Sequence, residues 1–401
     1  MLLRARVGTS LTFALGGLLC GLWVARMPAL SAKFGIGSGQ VGIVLLTWGV
    51  AALVAMQGLR GIISRAGSRR VLRICAPLAA VGAGLVAVAP TYELLLAAVA
   101  VFGMAFGVMD VSMNAQASVV ERAHGRPLMS GMHAGWCVGA MSGGLFGSLT
   151  ASLGLSFTQS VLASAIVALP AALLIGPAYL ADPAASATAA GGRRQRLPMA
   201  VYVLGGLAFL AFMAEGAVAD WSGLLLHDEL RATEAVAALG YPLFELAMLC
   251  GRLVGDRVRL RLGTRRLLIG SGLCTAVAVS VVVLAPSTPI ALAGFFLTGS
   301  AICTVVPTMI SLAGTAAPGR SAASVAQVGA MGYGGLLLGP MVIGFLAERT
   351  SLRLGLAIVV VLALTIALGV RFLRVTDTTT DLAAPATEPA GEEPAPELIA
   401  A

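Results

Sequence analysis

The sequence predicts an all-α polytopic membrane protein: twelve transmembrane helices arranged as two six-helix, pseudo-symmetric halves. Three observations carry that expectation. Only 11% of the 401 residues are charged and 58% are hydrophobic, against about 25% charged in soluble proteins. Long stretches carry no charge, each long enough for the ~20 apolar residues a helical span requires. A basic loop pattern also recurs about half a chain length apart. A soluble enzyme, a disordered chain and a disulfide-rich secreted domain are excluded. Glycine is abundant, at 50 residues, but without a three-residue period, which removes collagen and suits closely packed membrane helices.

The spans follow from where charges are missing. The first is residues 7–27; Arg4 and Arg6 precede it as in a secretory signal, but Trp-Val-Ala-Arg-Met-Pro follows in place of a small-residue cleavage site. Residues 40–60 and 71–90 are the second and third. The fourth, 94–116, is interrupted by Asp110. Residues 127–181 are uncharged and hold two spans, 128–149 and 156–179, with a turn near Thr150–Leu155. Residues 198–219 contain Glu215, and 236–256 contain Glu245 and Arg252. A second uncharged double stretch gives 267–285 and 289–312, and 321–346 and 352–372 complete the set. All are helices, because an open strand leaves its backbone unpaired in lipid, and the alternation of a membrane barrel is absent.

Placing the N-terminus inside puts twenty-one of the 26 basic residues on cytoplasmic segments, as the positive-inside rule requires. Only Arg26, Lys33, Arg231, Arg349 and Arg353 fall outside. The expected organisation is an N-terminal six-helix half (1–180), a flexible basic cytoplasmic linker (181–197), a C-terminal six-helix half (198–374) and a disordered acidic cytoplasmic tail (375–401). The expected location is the cytoplasmic (inner) membrane, multi-pass, with both termini cytoplasmic.

The loop after span two reads Arg65-Ala66-Gly67-Ser68-Arg69-Arg70-Val71-Leu72, and the loop after span eight reads Arg261-Leu262-Gly263-Thr264-Arg265-Arg266-Leu267-Leu268. At the same offset, Gly139 and Gly143 of span five map onto Gly335 and Gly339 of span eleven. Such parallel repeats place a substrate site at their interface near the bilayer midplane. Twelve spans, a basic central linker and twin basic Gly-containing turns resemble the major facilitator superfamily over about residues 7–372. Finer features resemble a YbjJ-like bacterial group distantly similar to fucose permeases: Trp23-Val-Ala-Arg26-Met-Pro28, Asp110-Val-Ser-Met-Asn114, Met132-His133-Ala134, Ala219-Asp220-Trp221-Ser222 and Gly251-Arg252-Leu-Val-Gly255-Asp256-Arg257. The superfamily usually carries an Asp just before its loop Arg-x-Gly; here Ser64 stands there.

Charged residues inside spans are costly, about 2.5–3.5 kcal/mol each on insertion scales, and normally face protein or a water-filled cavity. Asp110 and Asn114, four apart, share one helix face. The resemblance implies that spans one, four, seven and ten line the cavity, so that Asp110–Asn114 and Glu215 face each other across the halves. His133 is a candidate relay to Asp110 or a packed neutral imidazole. Glu245, mid-span eight, has both structural and functional readings, with Arg252 as a candidate partner. Gly131, Gly135, Gly139, Gly143 and Gly147 form a smooth stripe, for tight packing or for sliding. Arg26 and Asp220, with Trp23 and Trp221, suggest either an outer gate or interfacial anchors. Arg65, Gly67, Arg69, Arg70, Arg252, Asp256, Arg261, Gly263, Arg265 and Arg266 suggest cytoplasmic loop clamps, or topology signals alone.

Several chemistries lack their residues. The single lysine, Lys33, is in no phosphate-binding loop. The histidines His124, His133 and His227 form no metal motif, and no nucleophile elbow occurs. The cysteines (Cys20, Cys75, Cys137, Cys250, Cys274, Cys303) have no metal-ligand spacing. The expectation is a non-enzymatic secondary transporter of a small solute, polar or sugar-like, by alternating access. It has no cofactor beyond a proton as coupling ion, no nucleic-acid partner, lipid around it and a monomeric state. Export of drugs or metabolites, or a non-transporting membrane sensor, are the alternatives.

Overall fold

The computed structural model describes residues 1–58, 66–124, 128–182, 196–317 and 321–373. Arg65, Ser64, most of the linker and the acidic tail lie outside the described residues, as does the side chain of Asp256. The described chain is helical nearly throughout. Span one is Leu2–Ala25, followed across Arg26 by a short helix, Met27–Phe34. Spans two to six are Ser38–Gly58, Ser68–Val88, Tyr92–His124, Met129–Ser152 and Phe157–Ile175. Spans seven to nine are Met199–Leu224, Gly240–Leu262 and Thr264–Leu284. Span ten comes in two pieces, Thr288–Ile302 and Val305–Thr315, and spans eleven and twelve are Ser321–Arg349 and Leu352–Gly369.

Among the described residues, eleven helices are long and apolar enough to cross a membrane. The remaining helix, Met129–Ser152, is uncharged over 24 residues, but its glycines and serines dilute its hydropathy. The break in span ten follows from Pro307, which has no N–H to give the carbonyl one turn earlier, at Cys303.

The two halves repeat the same packing. Span one lies on five, two on four, and three on four and six; span seven lies on eleven, eight on ten, and nine on ten and twelve. The halves meet through spans two with eleven and five with eight, which are equivalent pairs. The repeat extends to backbone angles. Gly67 has φ 82°, ψ 151° and Gly263 has φ 78°, ψ 154°, a region where a side chain is disfavoured. The glycine shared by the two loops is therefore a conformational requirement of the turn into spans three and nine. The twin glycines recur as well: a side chain on Gly139 would meet the carbonyl of Ala14, and one on Gly335 that of Phe209. From Gly135 to Gly147 the glycine stripe thus packs span five on span one inside one half, whereas Gly131 has nothing within 4 Å of the position a side chain would take. The stripe is a structural seam, and not a sliding surface between halves.

At the end carrying the N-terminus, Asp182 closes the first half. The Ser68 hydroxyl lies 2.8 Å from Oε1 of Gln116 and 2.7 Å from Oδ1 of Asp182, and the Arg69 backbone N–H donates to Oδ2 at 3.1 Å. A carboxylate thus reaches the start of span three from the end of the half, although Ser64 replaces the usual acid. In the second half Arg259 Nε donates to Oγ1 of Thr264 at 3.1 Å instead. Burial alone would raise the Asp182 pKa, but hydrogen bonds from the Ser68 side chain and from backbone N–H groups hold it below the usual value. Its contribution to stability is then present above the unfolded value, near 4, and is lost as pH falls through the lower folded value. Asp182→Asn is expected to cost about 1 kcal/mol at pH 7 and to flatten the acid limb of a melting-temperature-against-pH curve. An unchanged curve would show the contact to be inert.

At the opposite face Lys33 ties three elements together. Its Nζ donates to the carbonyl of Ala87 at 2.8 Å and to Oγ1 of Thr158 at 3.0 Å, and lies 5.7 Å from the Phe157 ring centroid. A cation there complements the carbonyl end of span three.

Candidate functional site

The seam between the halves gathers the polar residues that sequence singled out inside the spans, with partners it did not foresee. Span four carries Asp110 to the seam, where the Tyr333 hydroxyl of span eleven donates to Oδ2 at 2.9 Å. Asn114, one turn on, turns back on its own helix: Nδ2 donates to the Asp110 carbonyl at 2.9 Å and reaches Oδ1 at 3.4 Å. Tyr333 is itself stacked on Phe212 of span seven, centroids 5.9 Å apart at 16°. His133 lies within electrostatic reach of Asp110, with its ring 4.9 Å from that of Phe13.

A second group forms on the other side of the seam. Arg252 Nη2 is 3.9 Å from Oε2 of Glu215, and Nη1 lies 3.5 Å from the Cys137 sulfur of span five. Glu245, two turns before Arg252 on span eight, feels the same guanidinium, with the Tyr241 hydroxyl and Cys137 thiol beside it. Arg252 therefore sits between two carboxyls and a thiol of the opposite half. The expectation that it is a cytoplasmic loop clamp is corrected. Span eight continues ten residues beyond it to Leu262, and its charge is matched by acids within the helices. Asp110 and Glu215 find different partners, so the seam holds two separate polar groups.

Beyond these groups, at the face opposite the N-terminus, the halves are tied at three points. Arg26, only 1% exposed, pairs with Glu234 at 2.9 Å and donates from Nη2 to the Leu155 carbonyl at 2.7 Å. The Ser148 hydroxyl donates to the Ala235 carbonyl at 2.7 Å. Glu348 of span eleven accepts from the backbone N–H of Gly39 at the start of span two. The partner of Arg26 is Glu234 and not Asp220: Glu234 opens the short helix between spans seven and eight and brings its carboxylate over the end of span one. Trp23 and Trp221 are buried, at 6% and 0% exposure, so neither is a lipid-facing anchor. Trp23 meets the Phe102 ring edge-on, and Trp221 lies against Gly344. A short bifunctional thiol reagent is expected to link cysteines placed at 26 and 234 and not those at 26 and 220; the reverse yield would restore Asp220 as the partner.

Of the loop residues, Gly67 and Gly263 set the turns and Arg69 meets Asp182 through its backbone. The clamp reading of Arg70, Arg261, Arg265 and Arg266 rests on the loop pattern alone. Tyr333, Cys137, Glu234 and Glu348 were not legible as site residues. Tyr333, set among Gly332, Gly334 and Gly335 in the uncharged stretch of span eleven, is the one whose surroundings could have marked it.

The major facilitator superfamily model matches residues 7–326 and 204–399. An MFS-type transporter of Yersinia pestis is 32% identical over 372 residues, covering 91% of this chain and 95% of its own length. Membrane protein MosC of Rhizobium meliloti is 29% identical over 88% of this chain and 86% of its own. Among solved structures, the nucleoside transporter NupG, as a D323A mutant, superposes with a TM-score of 0.76 at 15% identity, covering 92% of this chain and 99% of that one. A bacterial homologue of the human lysosomal transporter Spinster, inward-facing and unoccupied, gives 0.73 at 16%, covering 92% and 96%. Repeated halves, multi-pass helices and this whole-chain match agree: the chain belongs to the major facilitator superfamily of membrane transporters.

Proposed function

We propose that the chain is a secondary active transporter that moves a small polar or sugar-like solute across the cytoplasmic membrane by alternating access, coupled to protons. The observation that carries this reading is the pair of polar groups at the seam. Asp110–Tyr333 and Glu215–Arg252–Cys137 each join or approach opposite halves, so any rocking of one half on the other must remake them. Carboxyls whose partners change with the state are where a proton can be taken up and released.

Among the described residues, the polar contacts between the halves named above lie at mid-depth or toward the face opposite the N-terminus. That pattern supports a state closed on the opposite face, and the inward-facing Spinster homologue has the same fold. With the termini cytoplasmic, as the arginine distribution favours, this is an inward-facing state. The solute and the surrounding lipid are then the partners, the unit is a monomer, and no cofactor beyond the proton is needed.

The test is solute-driven pH change in proteoliposomes of wild type, Asp110→Asn and Glu215→Gln. Loss of proton movement with retained solute exchange in either variant is expected. Normal proton movement in both would remove proton coupling through these groups. Export of drugs or metabolites is the second reading, and the orientation of the solute gradient that drives the pH change decides it.

A further inference from the structure

Away from their ends, the spans hold more acids than bases. Asp110, Glu215, Glu245 and Asp220 lie within spans four, seven and eight, and Arg252 is the one Lys or Arg deep among them, with His133 at the edge. Cys20 of span one lies within electrostatic reach of Asp220, Glu245 and Asp110 together, so three of the four acids act electrostatically on one buried residue of the seam. One guanidinium can balance one carboxylate. It stands 3.9 Å from Oε2 of Glu215, while Oε1 of Glu215 and Oε2 of Glu245 are both left without a hydrogen-bond partner.

Glu245 is only 8% exposed, and its Oε2 has no hydrogen-bond partner. A buried carboxylate oxygen without a partner is costly, so its retention at the seam calls for a group that completes it. The acids do not converge on one point: among the described residues no three His, Cys, Asp or Glu side chains come close enough to hold a metal ion. The Tyr241 hydroxyl stands beside Glu245, and the Phe212–Tyr333 stack stands beside Asp110. Spaced carboxylates with an aromatic stack among them match a polyatomic cation, which gains from both the counter-charge and the ring.

We propose that the transported solute carries a positively charged nitrogen, and that Glu245 is its counter-ion. The proposal rests on the transport reading above and names the chemical class of its solute. A protonated amine donates to Oε2 of Glu245 and supplies the charge that Arg252 cannot give to both Glu215 and Glu245.

The experiment is a thermal-shift comparison of the full-length, detergent-purified protein with matched probes at millimolar concentration: glucosamine against glucose, tyramine against tyrosol, and cadaverine against pentane-1,5-diol. In each pair a hydroxyl or its equivalent replaces the ammonium. At least one amine is expected to raise the melting temperature above its neutral partner. That difference should vanish in Glu245→Gln and return in Glu245→Asp, which keeps the charge and checks that the site still folds. Neutral members protecting as well as amines, no amine protecting better than its partner, or a full amine effect in Glu245→Gln would each overturn the proposal. A neutral probe that protects would leave the transport reading standing, whereas failure of proton coupling in proteoliposomes would leave the amine preference untouched.

Discussion

Replacing Gly139 or Gly335 with leucine is expected to abolish most of the folded yield. In each case the first side-chain carbon meets a backbone carbonyl of the neighbouring span, Ala14 for Gly139 and Phe209 for Gly335. A backbone atom cannot rotate away as the end of a flexible side chain can, so the two helices must separate along their length. Overpacking costs about 1–3 kcal/mol where side chains can adjust, and here the helix axes themselves must move, so the upper end or more is expected. Close approach through small residues is also the main source of cohesion between helices in lipid. The control lies in the same protein. Gly206 and Gly270 have nothing within 4 Å of the position a side chain would take, and leucine there should leave the stability within about 0.5 kcal/mol of wild type. Equal effects at all four positions would show that helix propensity or expression, and not packing, governs the loss.

Arg252→Gln is expected to be the most damaging single change at the seam. It removes the cation that stands between Glu215 and Glu245 and leaves two carboxyls facing each other with no counter-charge. Breaking a fully buried pair costs about 3–5 kcal/mol, against ~0–1 for an exposed one. Arg252 is 33% exposed and Glu215 13%, so an intermediate value of about 2 kcal/mol is expected, together with at least a tenfold fall in transport. The second substitution is the diagnostic one. Arg252→Gln with Glu215→Gln removes one excess acid and should melt higher than Arg252→Gln alone, without regaining transport. A double variant less stable than the single one would mean that the guanidinium acts mainly through its contact with Cys137.

How far each of these features was legible depends on how local its cause is. The spans were legible because a charge in lipid is costly wherever it sits, so its absence marks a helix. This served even for Met129–Ser152, whose glycines and serines hide it from hydropathy. The repeat was legible through Gly67 and Gly263 because a positive φ demands glycine at one residue. Asp110, Glu215 and Glu245 stood out for the same reason as the gaps did. Arg252 drew two readings, partner of Glu245 and loop clamp, because a base near the end of a span obeys the same topology rule as a loop arginine, and only the acids of other turns and helices tell them apart. Tyr333 and Cys137 were illegible because their residue types are ordinary in apolar helices. Their role arises from contacts across the halves, with partners more than a hundred residues away. The same holds for Glu234, which takes the place expected of Asp220.

The Arg26–Glu234 pair is asymmetric in a way that reaches beyond the protein. Arg26 is 1% exposed and Glu234 is 40% exposed, so one end of the tie is fixed in the fold while the other stands in the medium. Ions shorten the reach of an exposed charge to about 8 Å at physiological strength, and further in brine. In the transport cycle proposed above, the saltiness of the fluid bathing that face therefore becomes a bias on the conformational balance. Dilute surroundings hold the two halves together there, and concentrated ones loosen them, with no ligand involved.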